Sequence, residues 1–203
     1  MFAAIGSLLV NYLVTNMRGM QRLAAIKLST APMARALPDL PMAETVMVRL
    51  VRSAMAEMGQ FFEPVFREIG LSENAFHVLC LLLAAEGGSL SPSDLSDLVG
   101  TSRANMTKIV EGLVANGYAL RRSLERDGRR QIIEITGAGK TAALAAVPIL
   151  TGPLKKAFSG LTAKEFTQLN ALLRKAIISF DNSALELGAK TFFEEPREAV
   201  NNG

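Results

Sequence analysis

Apolar residues recur at spacings of three and four along much of the chain, which is typical of amphipathic helices. The first long stripe predicts a helix over residues 43–69, and Gly70 is expected to end it. Pro64 lies inside this stripe and predicts a kink or a break near it. The next helix, expected from Ser72 to Glu86, is apolar on most sides, so it should occupy a central position.

The middle of the chain combines capping residues with short periodic runs. Ser91 and Ser102 are each expected to cap a short helix, and Gly117 is expected to end the second of these helices. Two runs, at 118–124 and 131–136, flank a charged segment, and the second run is rich in β-branched residues. This arrangement predicts a β-hairpin directly after the two helices.

The C-terminal part is again helical by its periodicity. A long Ala-rich helix is expected from about Lys140, with Pro148 kinking or dividing it. Thr162 is expected to cap a last amphipathic helix at 163–180, and residues 182–203 are interpreted as a loose tail. The predicted fold class is therefore mainly α with a small β wing.

The first 41 residues stand apart from this pattern. Residues 2–14 are almost wholly apolar but too few to span a membrane, which needs roughly 20 residues. Three interpretations stay open for them: a leader translated upstream of the working start, a helix that packs on a dimer, and a weak membrane anchor. Residues 29–41 hold three prolines and are interpreted as a linker. Membrane association is the least expected of these outcomes.

The composition narrows the possible function classes. Of 203 residues, 49% are hydrophobic and 20% are charged, which fits a globular protein. The single cysteine, Cys80, excludes an intramolecular disulfide, fits a reducing and hence cytoplasmic compartment, and is expected to be inert on an apolar helix. With only one histidine, His77, neither a zinc site nor another cofactor is expected. The sequence also lacks a Gly-rich phosphate loop and a nucleophile beside a positioned base, so an enzyme is not expected.

Positive charge is concentrated around the second short helix and the hairpin. Residues 101–140 contain eight Lys or Arg and four Asp or Glu, a local net charge of +4 against +3 for the whole chain. The polar side of that helix offers groups that can pair with base edges and phosphates, namely Thr101, Ser102, Arg103, Asn105, Thr107 and Lys108. The hairpin tip adds Arg126, Arg129 and Arg130. We therefore expect this helix to enter the major groove of double-stranded DNA, with the shorter helix bracing it.

Several segments resemble the multiple-antibiotic-resistance-regulator (MarR) type of transcription factor. They are residues 71–79, 90–96, 101–118, 127–130 and 135–140. The combination is specific, although each segment alone would be a weak signal. The resemblance implies a winged helix-turn-helix regulator over 42–181, with its DNA-binding part at 71–140 and dimerisation helices at 43–69 and 140–180.

The same resemblance implies a function and several residue roles. It implies a homodimer that binds a pseudo-palindromic operator, commonly as a repressor released by a small phenolic or lipophilic ligand. At the hairpin tip, it implies that Asp127 orients Arg129, which enters the minor groove. Asn105 and Lys108 stand where Thr and Arg are more usual in the family, which leaves the operator sequence open.

A ligand site is harder to place than a DNA site. Five residues are candidates for lining an apolar pocket, namely Met55, Met58, Phe62, Phe76 and His77. Met and Phe at helical spacing are, however, more often plain core. The alternative function is a winged-helix module for protein interaction or membrane association, without sequence-specific DNA binding.

Overall fold

The computed structural model describes residues 18–123 and 131–193. Within these ranges the helices are α1 Arg18–Ala36, α2 Met42–Ile69, α3 Glu73–Ala84, α4 Pro92–Val99, α5 Arg103–Ala115, α6 Gly137–Ala157 and α7 Ala163–Phe193. The strands are β1 Ser89–Leu90, β2 Ala119–Ser123 and β3 Gln131–Ile135. The predicted fold class, mainly α with a small β wing, is confirmed. The apolar stretch at 2–14 lies outside the described residues, so its three interpretations stay open.

The chain divides into two compact units, the first ending at Leu154 and the second starting at Lys155. The core of the first unit surrounds α3, as the all-round apolar character of this helix predicts. Its residues Val78, Leu79 and Leu82 are completely buried. They share a cluster with residues of α4, α5, β2, β3 and α6, namely Leu95, Met106, Val110, Leu113, Ala119, Ile133, Ile135 and Ala143. The two short helices and the wing are therefore held on one common core.

The sheet has three antiparallel strands in the order β1-β3-β2. Strands β2 and β3 pair from Ala119 opposite Ile135 to Ser123 opposite Gln131, which confirms the predicted hairpin strands. The sequence pattern does not predict β1, whose two residues pair with Glu134 and Ile133 of β3. A strand of two residues is too short to show an alternating pattern, so only its pairing partner defines it.

Neither of the long helices that contain prolines is divided. The break expected near Pro64 is absent, because α2 continues through it to Ile69. Helix α6 likewise continues through Pro148. Each proline removes one backbone N–H, but the residues around both prolines pack into one buried cluster, which stabilises the helices. This cluster contains Phe62, Phe66, Ala146 and Leu150.

The predicted linker at 29–41 is wrong over residues 29–36, which form the last turns of α1. This helix contains Pro32, yet it is stabilised by packing against α2. Ile26 is buried, and Arg49 of α2 donates a hydrogen bond to Ser29 Oγ at 2.8 Å. Tertiary contacts of this kind override the low helix propensity of a single proline.

Helix α7, in the second unit, begins where the sequence predicts. Thr162 Oγ1 accepts a hydrogen bond from the Glu165 N–H at 3.3 Å, and Glu165 Oε2 accepts one from the Thr162 N–H at 2.8 Å. The helix extends to Phe193, so the tail predicted from residue 182 is wrong over 182–193. The segment 184–190 contains mostly Ala, Leu, Glu and Lys, whose helix propensity allows the helix to continue.

Across the described ranges, no helix combines the length and the apolar character that a bilayer crossing requires.

Candidate nucleic-acid interface

Helices α4 and α5 form a helix-turn-helix whose ends are fixed by local hydrogen bonds. Ser91 Oγ accepts from the Asp94 N–H at the start of α4, and Ser102 Oγ accepts from the Asn105 N–H at the start of α5. Gly100, between the helices, has a φ of 71°, a left-handed conformation that glycine adopts without strain. Both predicted caps and the predicted turn are confirmed.

Helix α5 has a buried side and an exposed side. Met106, Val110 and Leu113 are almost completely buried and hold the helix on the core. The opposite side near the N-terminus is exposed and polar, with Ser102, Arg103, Asn105, Thr107 and Lys108 in contact with solvent and Thr101 half-buried. The six residues predicted to contact DNA are thus brought together on one accessible surface, which we call the α5 polar face.

Two side chains of the α5 polar face are held by hydrogen bonds. Asn105 Nδ2 donates to Thr101 Oγ1 at 2.7 Å. Thr107 Oγ1 donates to the Arg103 carbonyl oxygen at 3.0 Å. The orientations of Asn105 and Thr107 are therefore set by the protein itself.

Thr136 joins the base of the wing to the helices on either side. Its Oγ1 donates to the Gly117 carbonyl at 2.7 Å and accepts from the Gly139 N–H at 3.0 Å. Gly139 packs so closely that a Cβ added there would lie 2.1 Å from the Tyr118 carbonyl oxygen. The hydrophobic pattern reveals neither residue. The signal that could have found them is a threonine followed by two glycines directly after a strand.

The strands of the wing carry two exposed arginines, Arg121 and Arg122. Arg122 Nε forms an ion pair with Glu134 Oε2 on the neighbouring strand. Glu134 therefore offsets one of the positive charges that the sequence concentrates between residues 101 and 140. The predicted tip residues lie outside the described residues: Arg126, Asp127, Arg129 and Arg130.

The five residues predicted to line a ligand pocket do not share one environment. Phe62 and Phe76 pack around Phe66, with ring centroids 6.3 and 6.0 Å from its own. The other three are exposed, namely Met55, Met58 and His77. A groove of about 570 Å³ lies between α1 and α2, and its lining consists of other residues, among them Met20, Leu23, Leu50 and Ala54.

Cys80 is half-buried on α3, and this burial raises the pKa of its thiol. A raised pKa leaves less of the reactive thiolate at neutral pH, which agrees with the prediction of an inert cysteine. Within the described part of the chain, no three His, Cys, Asp or Glu side chains are grouped so that they could hold a metal ion.

A capped helix-turn-helix followed by a small β wing defines the winged helix-turn-helix class, whose members bind DNA. Comparison with known proteins agrees with this class. The family model described as MarR family matches residues 69–130. Over 143 residues, the chain is 28% identical to the transcriptional repressor MprA of Escherichia coli strain K12, which covers 70% of this chain and 81% of MprA.

Solved structures show the same fold. Sco3205 of Streptomyces coelicolor, a MarR family transcriptional regulator solved in complex with DNA, matches with a TM-score of 0.62 and 19% identity over 68% of this chain and 88% of that one. BpsR of Bordetella bronchiseptica, whose DNA binding is regulated by 6-hydroxynicotinic acid, matches with a TM-score of 0.60 and 24% identity over 64% and 97%. The chain is thus similar in sequence and fold to MarR-type winged-helix transcription regulators.

Proposed function

We propose that the chain forms a homodimer that binds a pseudo-palindromic operator and represses transcription, and that a small apolar ligand modulates this binding. The observation that carries the proposal is the α5 polar face, which stands opposite the buried Met106, Val110 and Leu113. In the proposed complex it enters the major groove, with contacts from Thr101, Ser102, Arg103, Asn105, Thr107 and Lys108. The wing tip would add Arg126, Arg129 and Arg130, with Asp127 as a brace. Repression is supported by the similarity to the repressor MprA.

Exposed apolar side chains support the dimer. On α7 they are Phe166, Leu169, Leu172, Leu173, Ile177 and Phe180, and on α2 they are Met47, Val48, Val51, Met55 and Met58. Large apolar patches are rarely left exposed by monomeric proteins and often mark interaction sites. In a two-fold dimer, the two copies of α5 would read half-sites about one helical turn, roughly 10 base pairs, apart.

The DNA-binding part is tested by titrating a duplex, selected by the full chain from a random-sequence library, at low and high salt. We expect the affinity to fall by about 10³-fold between 50 and 200 mM salt, as it does when several Lys and Arg side chains neutralise DNA phosphates and release counterions. Arg103→Ala should weaken binding and reduce the salt dependence. Arg129→Ala should weaken binding strongly while the dimer stays intact, since the wing tip is not part of the proposed dimer interface.

Arg174→Ala is the matched control, because it removes the same charge from α7, where Arg174 Nε donates to Asn170 Oδ1. It should leave the affinity for the duplex unchanged. Equal losses for Arg103→Ala and Arg174→Ala would contradict a specific role of the α5 polar face. Weak binding without salt dependence would favour the alternative, a winged-helix module for protein interaction.

Ligand modulation is supported by the similarity to BpsR, whose DNA binding a small hydroxylated aromatic acid regulates. The same titration, repeated with 6-hydroxynicotinic acid and with a lipophilic phenol, tests it. A lower affinity for the duplex with either compound is the expected result. Unchanged affinity with both would contradict modulation by this class of ligand and leave DNA binding unaffected.

A further inference from the structure

We propose that Thr101 is a positioning residue, whose hydroxyl orients the Asn105 amide so that Asn105 reads an adenine in each operator half-site. The inference rests on the proposed function, because it names the base that the α5 polar face selects.

The Asn105 side chain is exposed, yet its orientation is fixed from the preceding turn. Its Nδ2 donates to Thr101 Oγ1 at 2.7 Å, and its backbone N–H donates to Ser102 Oγ at 3.2 Å. Thr101 is itself anchored, because its backbone N–H donates to the Ser96 carbonyl of α4 at 3.0 Å. The amide is therefore attached, through one hydroxyl, to the turn that joins the two helices.

The chemistry of the amide decides which base it fits. An amide NH₂ group carries two hydrogens. The hydrogen bond to Thr101 uses one of them, so the second hydrogen and the Oδ1 acceptor remain for contact with a base. A donor beside an acceptor complements N7 and the N6 amino group of adenine in the major groove. Without Thr101, the plane of the amide could rotate about the Cβ–Cγ bond. With its nitrogen bonded to the hydroxyl at 2.7 Å, the plane of the amide is held before DNA arrives.

The neighbouring residues of the α5 polar face fit an A·T pair as well. The Thr107 hydroxyl gives its only hydrogen to the Arg103 carbonyl, so this side chain has no donor left for DNA. Its γ-methyl group and the methyl group of the exposed Ala104 remain. Apolar groups of this size suit the C5-methyl group of thymine. The centre of the α5 polar face therefore favours A·T pairs, while Arg103 can donate hydrogen bonds to guanine or to a phosphate.

The test compares the base preferences of full-length variants selected on a random-sequence duplex library. The unaltered chain should select an adenine at one position of each half-site and prefer it roughly tenfold over other bases. Asn105→Ala should lose the preference at that position only. Thr101→Val keeps the shape but loses the hydroxyl, so it should lose most of the preference. Thr101→Ser keeps the hydroxyl and should keep the preference.

Thr141→Val is the matched control, because it removes a helix hydroxyl that donates to the Gly137 carbonyl on α6 and is not part of the α5 polar face. It should leave every base preference unchanged, and a thermal melt of each variant shows that the fold is kept. Full adenine preference in Thr101→Val, alongside its loss in Asn105→Ala, would overturn the positioning role. Full preference in Asn105→Ala would overturn the reading role. Absence of salt-sensitive binding by the unaltered chain would contradict the proposed function too, so the two failures are distinct.

Discussion

Gly139 controls how closely the first turn of α6 approaches the backbone that leads into β2. A Cβ at this position would lie 2.1 Å from the Tyr118 carbonyl oxygen and 3.0 Å from Ile135 Cγ1. Because the nearest atom belongs to the backbone, relief requires the base of the wing to move. We expect Gly139→Ala to lower the free energy of unfolding by about 1–3 kcal/mol, as overpacking of a close contact does. Urea unfolding followed by circular dichroism measures the change.

Gly137→Ala is the matched control for this substitution. Gly137 belongs to the same first turn of α6, and nothing lies within 4 Å of a Cβ placed there. Its replacement should leave the stability unchanged or raise it by up to about 1 kcal/mol, because alanine has the higher helix propensity. Similar losses of stability in both variants would show that the close contact with Tyr118 is not what destabilises Gly139→Ala.

Residues with local roles could be predicted from the sequence, and residues with distant partners could not. Ser91 and Ser102 cap helices through the N–H groups three residues ahead, so residue type and position suffice to identify them. Thr136, by contrast, bonds to Gly117, which is 19 positions earlier in the chain. The hydrogen bond that orients Asn105 also depends on the turn geometry, which no periodicity encodes.

At the level of elements, α7 begins with a capping box formed by Thr162 and Glu165. The Glu165 carboxylate accepts hydrogen bonds from the backbone and side chain of Thr162, which lowers the pKa of Glu165. A lowered pKa in the folded chain means stability that is present above the unfolded value and is lost as the pH falls through the folded value. We expect the melting temperature of the unaltered chain to exceed that of Glu165→Gln at neutral pH, with the difference shrinking below about pH 4.5.

Glu165→Gln is informative because an amide cannot titrate but still offers an acceptor to the Thr162 N–H. The comparison is made by circular dichroism at several pH values between about 3 and 7. Thr162→Ala removes the hydroxyl from the capping box. In this background, the pH-dependent difference in melting temperature between the chains with Glu and with Gln at position 165 should be smaller. A difference that stays constant across this range would contradict a role for the carboxylate charge.

Elements with a strong pattern of their own could be predicted, and elements that depend on a neighbour could not. The central α3 and the hairpin strands follow from their apolar and β-branched runs. Strand β1 exists only because β3 pairs with it, and the last turns of α1 persist past Pro32 because α2 packs against them. Helices α2 and α6 are likewise not divided at Pro64 and Pro148, because a shared buried cluster joins the two helices there.

At the level of the whole molecule, the pattern predicts the two sides of α5 but not the environments of the five candidate ligand-site residues. A DNA-reading helix needs one buried side and one polar side, and this division is visible in the sequence of α5. A pocket depends on how separate elements meet. Met58 and Phe62 lie four residues apart on one stripe of α2, yet Met58 is exposed and Phe62 is buried. Helical spacing alone does not distinguish these two environments.

The proposed dimer gives the last prediction. Leu173 lies on the exposed apolar side of α7. We expect Leu173→Glu to dissociate the dimer, because a charge at an apolar interface loses its hydration without gaining a partner. Because a monomer engages only one half-site, its affinity for the selected duplex should fall by about 10²-fold or more. Analytical ultracentrifugation gives the mass, and fluorescence anisotropy gives the affinity.

Ala171→Glu supplies the matched control for this experiment. It introduces the same charge into the same helix, but two residues along an α-helix correspond to a rotation of about 200°, which places it on the opposite side. It should leave both the mass and the affinity unchanged, and far-UV circular dichroism should show the same helix content for both variants. A dimeric Leu173→Glu that binds DNA normally would exclude this side of α7 from the interface. Dissociation by both variants would mean that added charge on α7, rather than the lost apolar contact, separates the two copies.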